Sequence, residues 1–103
     1  FFYVPMDECL SRCVIDFSGG PEFIWKVDLG LEKIGDMDTE LFIEFFKAFT
    51  NESKCNLHIE NLYGQNNHHI IESCFKAFAK SYRIAVEIDS RRKNQIPSSK
   101  GAL

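Results

Sequence analysis

The sequence of 103 residues predicts an α+β fold: strands and helices in the order ββαβα, forming one mixed sheet with two helices packed on one face. Three observations predict it. Two stretches, residues 12–18 and 22–29, alternate apolar and polar residues on either side of Ser18-Gly19-Gly20-Pro21, and alternation at period two marks a half-buried strand. Two longer segments repeat apolar residues at helical spacing. Each of those helices has a single apolar stripe, so both must be buried against the same sheet face.

Taken in order, the first strand turns Cys13, Ile15 and Phe17 to one face and Arg12, Val14, Asp16 and Ser18 to the other. After the Gly-Gly turn, Phe23, Trp25, Val27 and Leu29 alternate with Glu22, Ile24, Lys26 and Asp28. Two alternating runs around such a turn predict a hairpin. Residues 30–35 are a connection. Asp38 or Thr39 then caps a first helix, in which Leu41, Phe42, Phe45, Phe46 and Phe49 recur at helical period before Asn51-Glu52-Ser53 ends it. Residues 55–62 form a third strand, with Cys55, Leu57 and Ile59 inward and Asn56, His58 and Glu60 outward. The second helix spans about residues 67–86, with a stripe of Ile70, Ile71, Cys74, Phe75, Phe78, Tyr82 and Ala85. The tail, residues 89–103, is charged and then rich in Pro, Ser and Gly, and reads as loop. The uncovered sheet face, carrying Asp16, Lys26, Asp28, His58 and Glu60, is expected to meet water or a partner.

Composition narrows the function. The length suits one small domain, residues 1–103. A net charge of −3 leaves no electrostatic footprint for nucleic acid. Cys9, Cys13, Cys55 and Cys74 form no metal-binding or redox spacing, and read as small apolar residues of a reducing, cytoplasmic compartment. No apolar run is long enough to span a membrane. The chain opens on Phe1-Phe2-Tyr3-Val4 without an initiator Met, as expected of a fragment or a processed chain.

The chemistry concentrates in His68-His69-Ile70-Ile71-Glu72, with Lys76 four residues on. On a helix, His68 and Glu72 are i,i+4 neighbours and His69 and Glu72 are i,i+3 neighbours. Consecutive positions lie about 100° apart, so the two imidazoles suit different ions, with Glu72 between them. Imidazole with carboxylate suits divalent manganese, iron or zinc. The spacing alone also fits a polar first turn with no ligand. The Phe-rich first helix reads as core, and mid-strand His58 as structural.

Eight short stretches in register carry a resemblance that covers nearly the whole chain. They are Pro5-Met6-Asp7-Glu8, Asp16-Phe17-Ser18-Gly19, Gly35-Asp36-Met37-Asp38-Thr39-Glu40-Leu41, Phe45-Phe46, Leu57-His58-Ile59, His68-His69-Ile70-Ile71-Glu72, Phe75-Lys76-Ala77-Phe78 and Ile96-Pro97-Ser98-Ser99-Lys100-Gly101. Together they resemble the C-terminal half of imidazoleglycerol-phosphate dehydratase, a hydro-lyase of histidine biosynthesis. The resemblance implies a two-repeat enzyme, each repeat a sheet backed by two helices in the manner of the second domain of a ribosomal small-subunit protein. It implies large homo-oligomers, commonly of twenty-four subunits, with two manganese ions per active site between subunits. It makes His68, His69 and Glu72 metal ligands, and Glu72 a catalytic participant in proton transfer. Glu44 stands where many members have a ligating histidine. Lys76, Ser98 and Lys100 match residues that bind the phosphate of a small imidazole substrate. Two departures stand out: Gly20 replaces an arginine that usually helps hold the phosphate, and the first repeat, with its own ligands, is missing. These leave a second class of function open, a non-catalytic assembly module from a truncated or degenerate copy.

Overall fold

A computed structural model of the chain describes residues 1–29 and 38–87. The expected connection 30–35 and tail 89–103 lie outside the described residues. Within them the elements are β1 (Phe2–Met6), β2 (Cys9–Asp16), β3 (Glu22–Lys26), α1 (Glu40–Ser53), β4 (Asn56–Tyr63) and α2 (Asn67–Ala85). The four strands make one mixed sheet in the order β1-β2-β4-β3. The α+β class, the mixed sheet and both helices match the sequence expectation, and α2 differs from it by one residue.

Two features correct it. The order is βββαβα, because β1 precedes the strands read from the sequence. Phe2, Val4 and Met6 alternate with Tyr3 and Pro5, but an outward tyrosine hides the alternation, and proline is tolerated in a strand mainly at an edge. Among the described strands β1 is such an edge, pairing with β2 alone. The second correction concerns pairing. The expected hairpin between the strands flanking Gly19-Gly20 does not form, since β4 lies between β2 and β3. β2 pairs antiparallel with β1 and β4, whereas β3 pairs parallel with β4. Parallel neighbours need a crossover, usually helical, and β3-α1-β4 is that unit. The Ser18–Pro21 turn carries the chain past the start of β4: Gly19 N–H donates to the Lys54 carbonyl and Glu22 N–H to that of Cys55. Gly19 sits at φ 87°, a conformation that favours glycine.

The inward residues of β2 and β4 follow the predicted alternation, with Cys13, Leu57 and Ile59 buried. α2 lies over β1 and β2, and α1 over β3. Phe46 is fully buried, and its ring packs against those of Phe23, Trp25, Phe75 and Phe78. The buried line of α2 is Ile70, Ile71, Ser73, Cys74, Ala77 and Ser81, smaller than the stripe the sequence suggests. Its small members let the helix approach β2 closely. Ser73 and Ser11 hydroxyls meet at 2.6 Å, and Ser81 Oγ donates to the Cys13 carbonyl at 2.9 Å. Tyr82 and Ala85, expected inward, are exposed at the end of α2. All four cysteines are free and buried. Burial pushes the Cys13 thiol up to about 12 and that of Cys74 to about 11, as expected of apolar fillers. The opposite sheet face exposes Val14, Lys26 and His58, with Arg12 hydrogen-bonded to the Tyr3 hydroxyl and paired with Glu60.

Candidate active-site cluster

The cluster forms where three loops converge at one end of the sheet. β4 ends at Tyr63, and Gly64-Gln65-Asn66 leads directly into α2. Asn66 is extended at φ −87° and ψ 120° and caps the helix, its side-chain oxygen accepting His69 N–H at 3.1 Å. Asn67 Nδ2 donates to the Leu29 carbonyl at 3.0 Å, tying the helix start to the chain beyond β3. These contacts fix the backbone that presents His68 and His69.

Both imidazoles lie on the surface. His68 is 71% exposed and His69 30%. Their ring centroids are 6.5 Å apart with planes at 78°, so adjacent positions on the helix aim the rings apart as expected. His68 Nε2 lies 3.8 Å from Glu72 Oε2, and Lys76 Nζ lies 3.3 Å from Glu72 Oε1. His68, Glu72 and Lys76 therefore form one line along the helix, with the carboxylate between two basic groups.

His69 turns to a partner that the sequence reading missed. The β1–β2 hairpin has a two-residue loop, Asp7-Glu8, between the paired Met6 and Cys9. Asp7 adopts φ 51°, a left-handed conformation that aspartate tolerates better than most residues. Glu8 Oε1 lies 2.7 Å from His69 Nδ1. Glu8 Oε2 accepts from Gln65 N–H at 3.0 Å, Asn66 N–H at 2.9 Å and the Cys9 thiol at 2.9 Å. Asp7 Oδ2 lies 3.7 Å from His69 Nε2. The hydrogen bond from Cys9, joined by those from Asn66, His69 and Gln65, holds the Glu8 carboxyl well below the usual carboxylate range. In return, the hydrogen bond to Glu8 raises the His69 pKa, against partial desolvation. The available signal was the acidic pair Asp7-Glu8 within one of the matching stretches, but nothing in the sequence joined it to a histidine 61 residues away.

The other expected site residues are placed as follows. Glu44 is on α1, exposed, with Lys47 Nζ 3.9 Å away. Ring contacts of Phe42 with Phe75 and of Phe49 with Phe78 and Tyr82 show that the helices run parallel. In that register Glu44 stands level with Ala77, about five residues or roughly 7 Å past Glu72 along the axes. Ser98 and Lys100 lie outside the described residues. The Gly20 turn is at the opposite end of the eight-residue β2, roughly 25 Å from the histidines at strand rise. Among the described residues no three His, Cys, Asp or Glu side chains converge on one point fit for a metal ion. The donor types fit a divalent metal of borderline hardness, but the number brought together among the described residues does not complete a coordination sphere.

Comparison with known proteins bears on the family and the fold. The family model described as imidazoleglycerol-phosphate dehydratase matches residues 1–82. A protein of that name from Phenylobacterium zucineum is 54% identical over 101 residues, 98% of this chain and 52% of its own length. The fold is similar to the crystal structure of the Staphylococcus aureus imidazoleglycerol-phosphate dehydratase, with a TM-score of 0.82 and 43% identity, covering 85% of this chain and 52% of that one. It is similar also to the Pyrococcus furiosus protein, with a TM-score of 0.81 and 28% identity, covering 99% of this chain and 55% of that one. The chain thus spans about half the length of the relatives it matches. No helix among the described residues is long and apolar enough to cross a membrane.

Proposed function

The chain belongs to the imidazoleglycerol-phosphate dehydratase family, and we propose that it supplies the second-repeat half of a manganese-dependent active site of that activity. The reaction would remove water from imidazoleglycerol phosphate to give imidazoleacetol phosphate, in a cytoplasmic pathway of histidine biosynthesis. The observation that carries this reading is the surface pair of exposed His68 and half-buried His69 at the start of α2, aimed apart, with carboxylates beside each.

In this reading His68 and His69 ligate different ions of a two-manganese site, Glu72 is shared between ligation and proton transfer, and Glu44 is a further ligand. Manganese would act as a Lewis acid toward the substrate imidazole. Glu72 lies between His68 and Lys76, and as a carboxylate it can take a proton from substrate carbon and pass it to the departing hydroxyl, which leaves as water. Lys76 keeps ammonium hydrogens for a phosphate oxygen beyond its contact with Glu72, and Ser98 and Lys100 would complete the phosphate contacts. The separation of Glu44 and the Gly20 turn from the histidines supports a site shared between subunits of a homo-oligomer, of the twenty-four-subunit type. The missing ligands would then come from neighbouring chains and the first repeat. The alternative, an assembly module without catalysis, is favoured by Gly20, which offers the phosphate no cation.

Subunit mixing tests the proposal in the enzyme carrying both repeats. Turnover should require manganese, and chelation should abolish it. His68→Ala and Glu44→Ala should each be inactive alone, and co-assembly should restore part of the activity, because intact Glu44 and intact His68 then meet from different chains. Manganese-independent turnover, or a fully active Glu44→Ala, would reject the corresponding assignment.

A further inference from the structure

We propose that Glu8 is the positioning residue of this site, holding His69 as the tautomer whose Nε2 is free to bind a divalent metal. This rests on the reading of His69 as a ligand and adds a residue with a distinct role. A carboxylate accepts and does not donate. At 2.7 Å from Glu8 Oε1, Nδ1 of a neutral His69 must therefore carry the hydrogen, which leaves the lone pair on Nε2. Among the described residues no hydrogen bond occupies that nitrogen: the nearest acidic oxygen, Asp7 Oδ2, is 3.7 Å away. A ligating histidine characteristically donates its second ring N–H to a carboxylate, which fixes both ring orientation and tautomer.

Glu8 is not itself placed to ligate. Its Oε2 already accepts from Gln65 N–H, Asn66 N–H and the Cys9 thiol, so the carboxylate bridges the β1–β2 hairpin to the segment that starts α2. The Asn66 cap fixes the backbone of His69 and Glu8 fixes its ring. The two come from different loops, so the histidine is held from two sides before any metal arrives.

Glu8→Gln separates this role from a merely structural one. The glutamine carbonyl can still accept the two backbone N–H groups, which turns the amide NH2 toward His69 Nδ1. That nitrogen must then accept, and the hydrogen moves to Nε2, where metal would bind. Long-range proton–nitrogen NMR of the metal-free protein, above the pKa of His69, should show the Nδ1–H tautomer in the parent and the Nε2–H tautomer in Glu8→Gln. Manganese affinity, read from the electron paramagnetic resonance of the free ion, should fall about ten- to a hundredfold while the melting temperature changes little. An Nε2–H tautomer in the parent would overturn the proposal whether or not the variant folds. So would a Glu8→Gln protein with parental tautomer and affinity when His69→Ala binds manganese poorly. Unchanged affinity in His69→Ala would instead remove the ligand assignment, and the role of Glu8 with it.

Discussion

Gly64→Ala is the sharpest steric test of how the cluster is built. Gly64 joins β4 to the Gln65-Asn66 segment on which Glu8 is anchored. A Cβ there would lie 2.4 Å from Cys9 Sγ, 3.0 Å from Ile70 Cγ1 and 3.2 Å from Cys9 Cβ. Neither neighbour can easily yield. Cys9 is 1% exposed with its thiol bonded to Glu8, and Ile70 is 3% exposed. Gly64 is not among the positive-φ glycines, so backbone conformation adds no penalty. Overpacking of this kind costs about 1–3 kcal/mol, and the stiffer unfolded chain returns about 0.4–1 kcal/mol. The net loss should be about 1–2 kcal/mol, which lowers a urea midpoint by roughly 0.5–1 M for a domain of this size. Cys9→Ala removes the sulfur and with it the shortest contact. Urea unfolding of the two single variants and the double variant, at one protein concentration, should give a coupling of about 1 kcal/mol or more toward recovery. Additivity within about 0.5 kcal/mol would refute the argument, because it would mean that the added methyl does not press on Cys9.

Three further outcomes follow from other contacts. Phe46→Ala empties the centre of the aromatic cluster and should cost about 3–5 kcal/mol, enough to lower the melting temperature by many degrees; a shift of a degree or two would contradict the assigned core. Glu8, with its pKa lowered from 4.5, contributes stability that is present above that pH and lost as pH falls below it. His69, raised from 6.5, contributes stability that is full below that pH and lost as pH rises through its folded value. Glu8→Gln should therefore flatten the stability profile on both the acid and the alkaline side, and an unchanged profile in a pH series of melting temperatures would deny the coupling. Gly20→Arg meets nothing within 4 Å of its Cβ, so it should fold normally, with a stability change within about 0.5 kcal/mol. In the complete enzyme it should lower the KM for the phosphorylated substrate, and an unaltered KM would separate this turn from the phosphate site.

The parts of the fold that were legible are those where local pattern and burial agree. β4 reads Asn56, His58 and Glu60 outward between Leu57 and Ile59, and the sheet keeps that alternation. The extent of α2 followed from its apolar period, and the structure adds the Asn66 cap at its start. Strand neighbours were not legible in the same way. The Gly19-Gly20 turn is a local signal for a hairpin, but the crossover through α1 places β4 in the gap, a tertiary outcome that no window of residues encodes. The depth of α2 was misread for a related reason. Ser73 and Ser81 are polar in sequence, but each hydroxyl finds a partner on β2 or in its own helix, and a satisfied hydroxyl can be buried. At the site, the histidines were visible because they are adjacent, whereas Glu8 depends on β1, the strand the sequence concealed.

The acidic hairpin has an electrostatic reason to be where it is. A helix N-terminus carries roughly half a positive charge and repels cations, so two histidines at the start of α2 are poorly placed to hold divalent ions by themselves. Three carboxylates gather there: Asp7 and Glu8 from the hairpin and Glu72 one turn into the helix. Glu8 is occupied by backbone N–H groups just ahead of the helix, which consumes part of the positive field. Lys76 offsets some of the charge of Glu72, leaving Asp7 as the acid closest to His69 Nε2, the nitrogen proposed to face the metal. Removing Asp7 should consequently weaken manganese binding without disturbing the His69 tautomer, whereas removing the charge of Glu8 should alter both. Asp7→Asn and Glu8→Gln, compared by tautomer and by affinity, thus separate the field of the hairpin from its geometry. Equal tautomer changes in the two variants would show that the field alone sets the imidazole, and the directional hydrogen bond from Nδ1 would lose its assigned part.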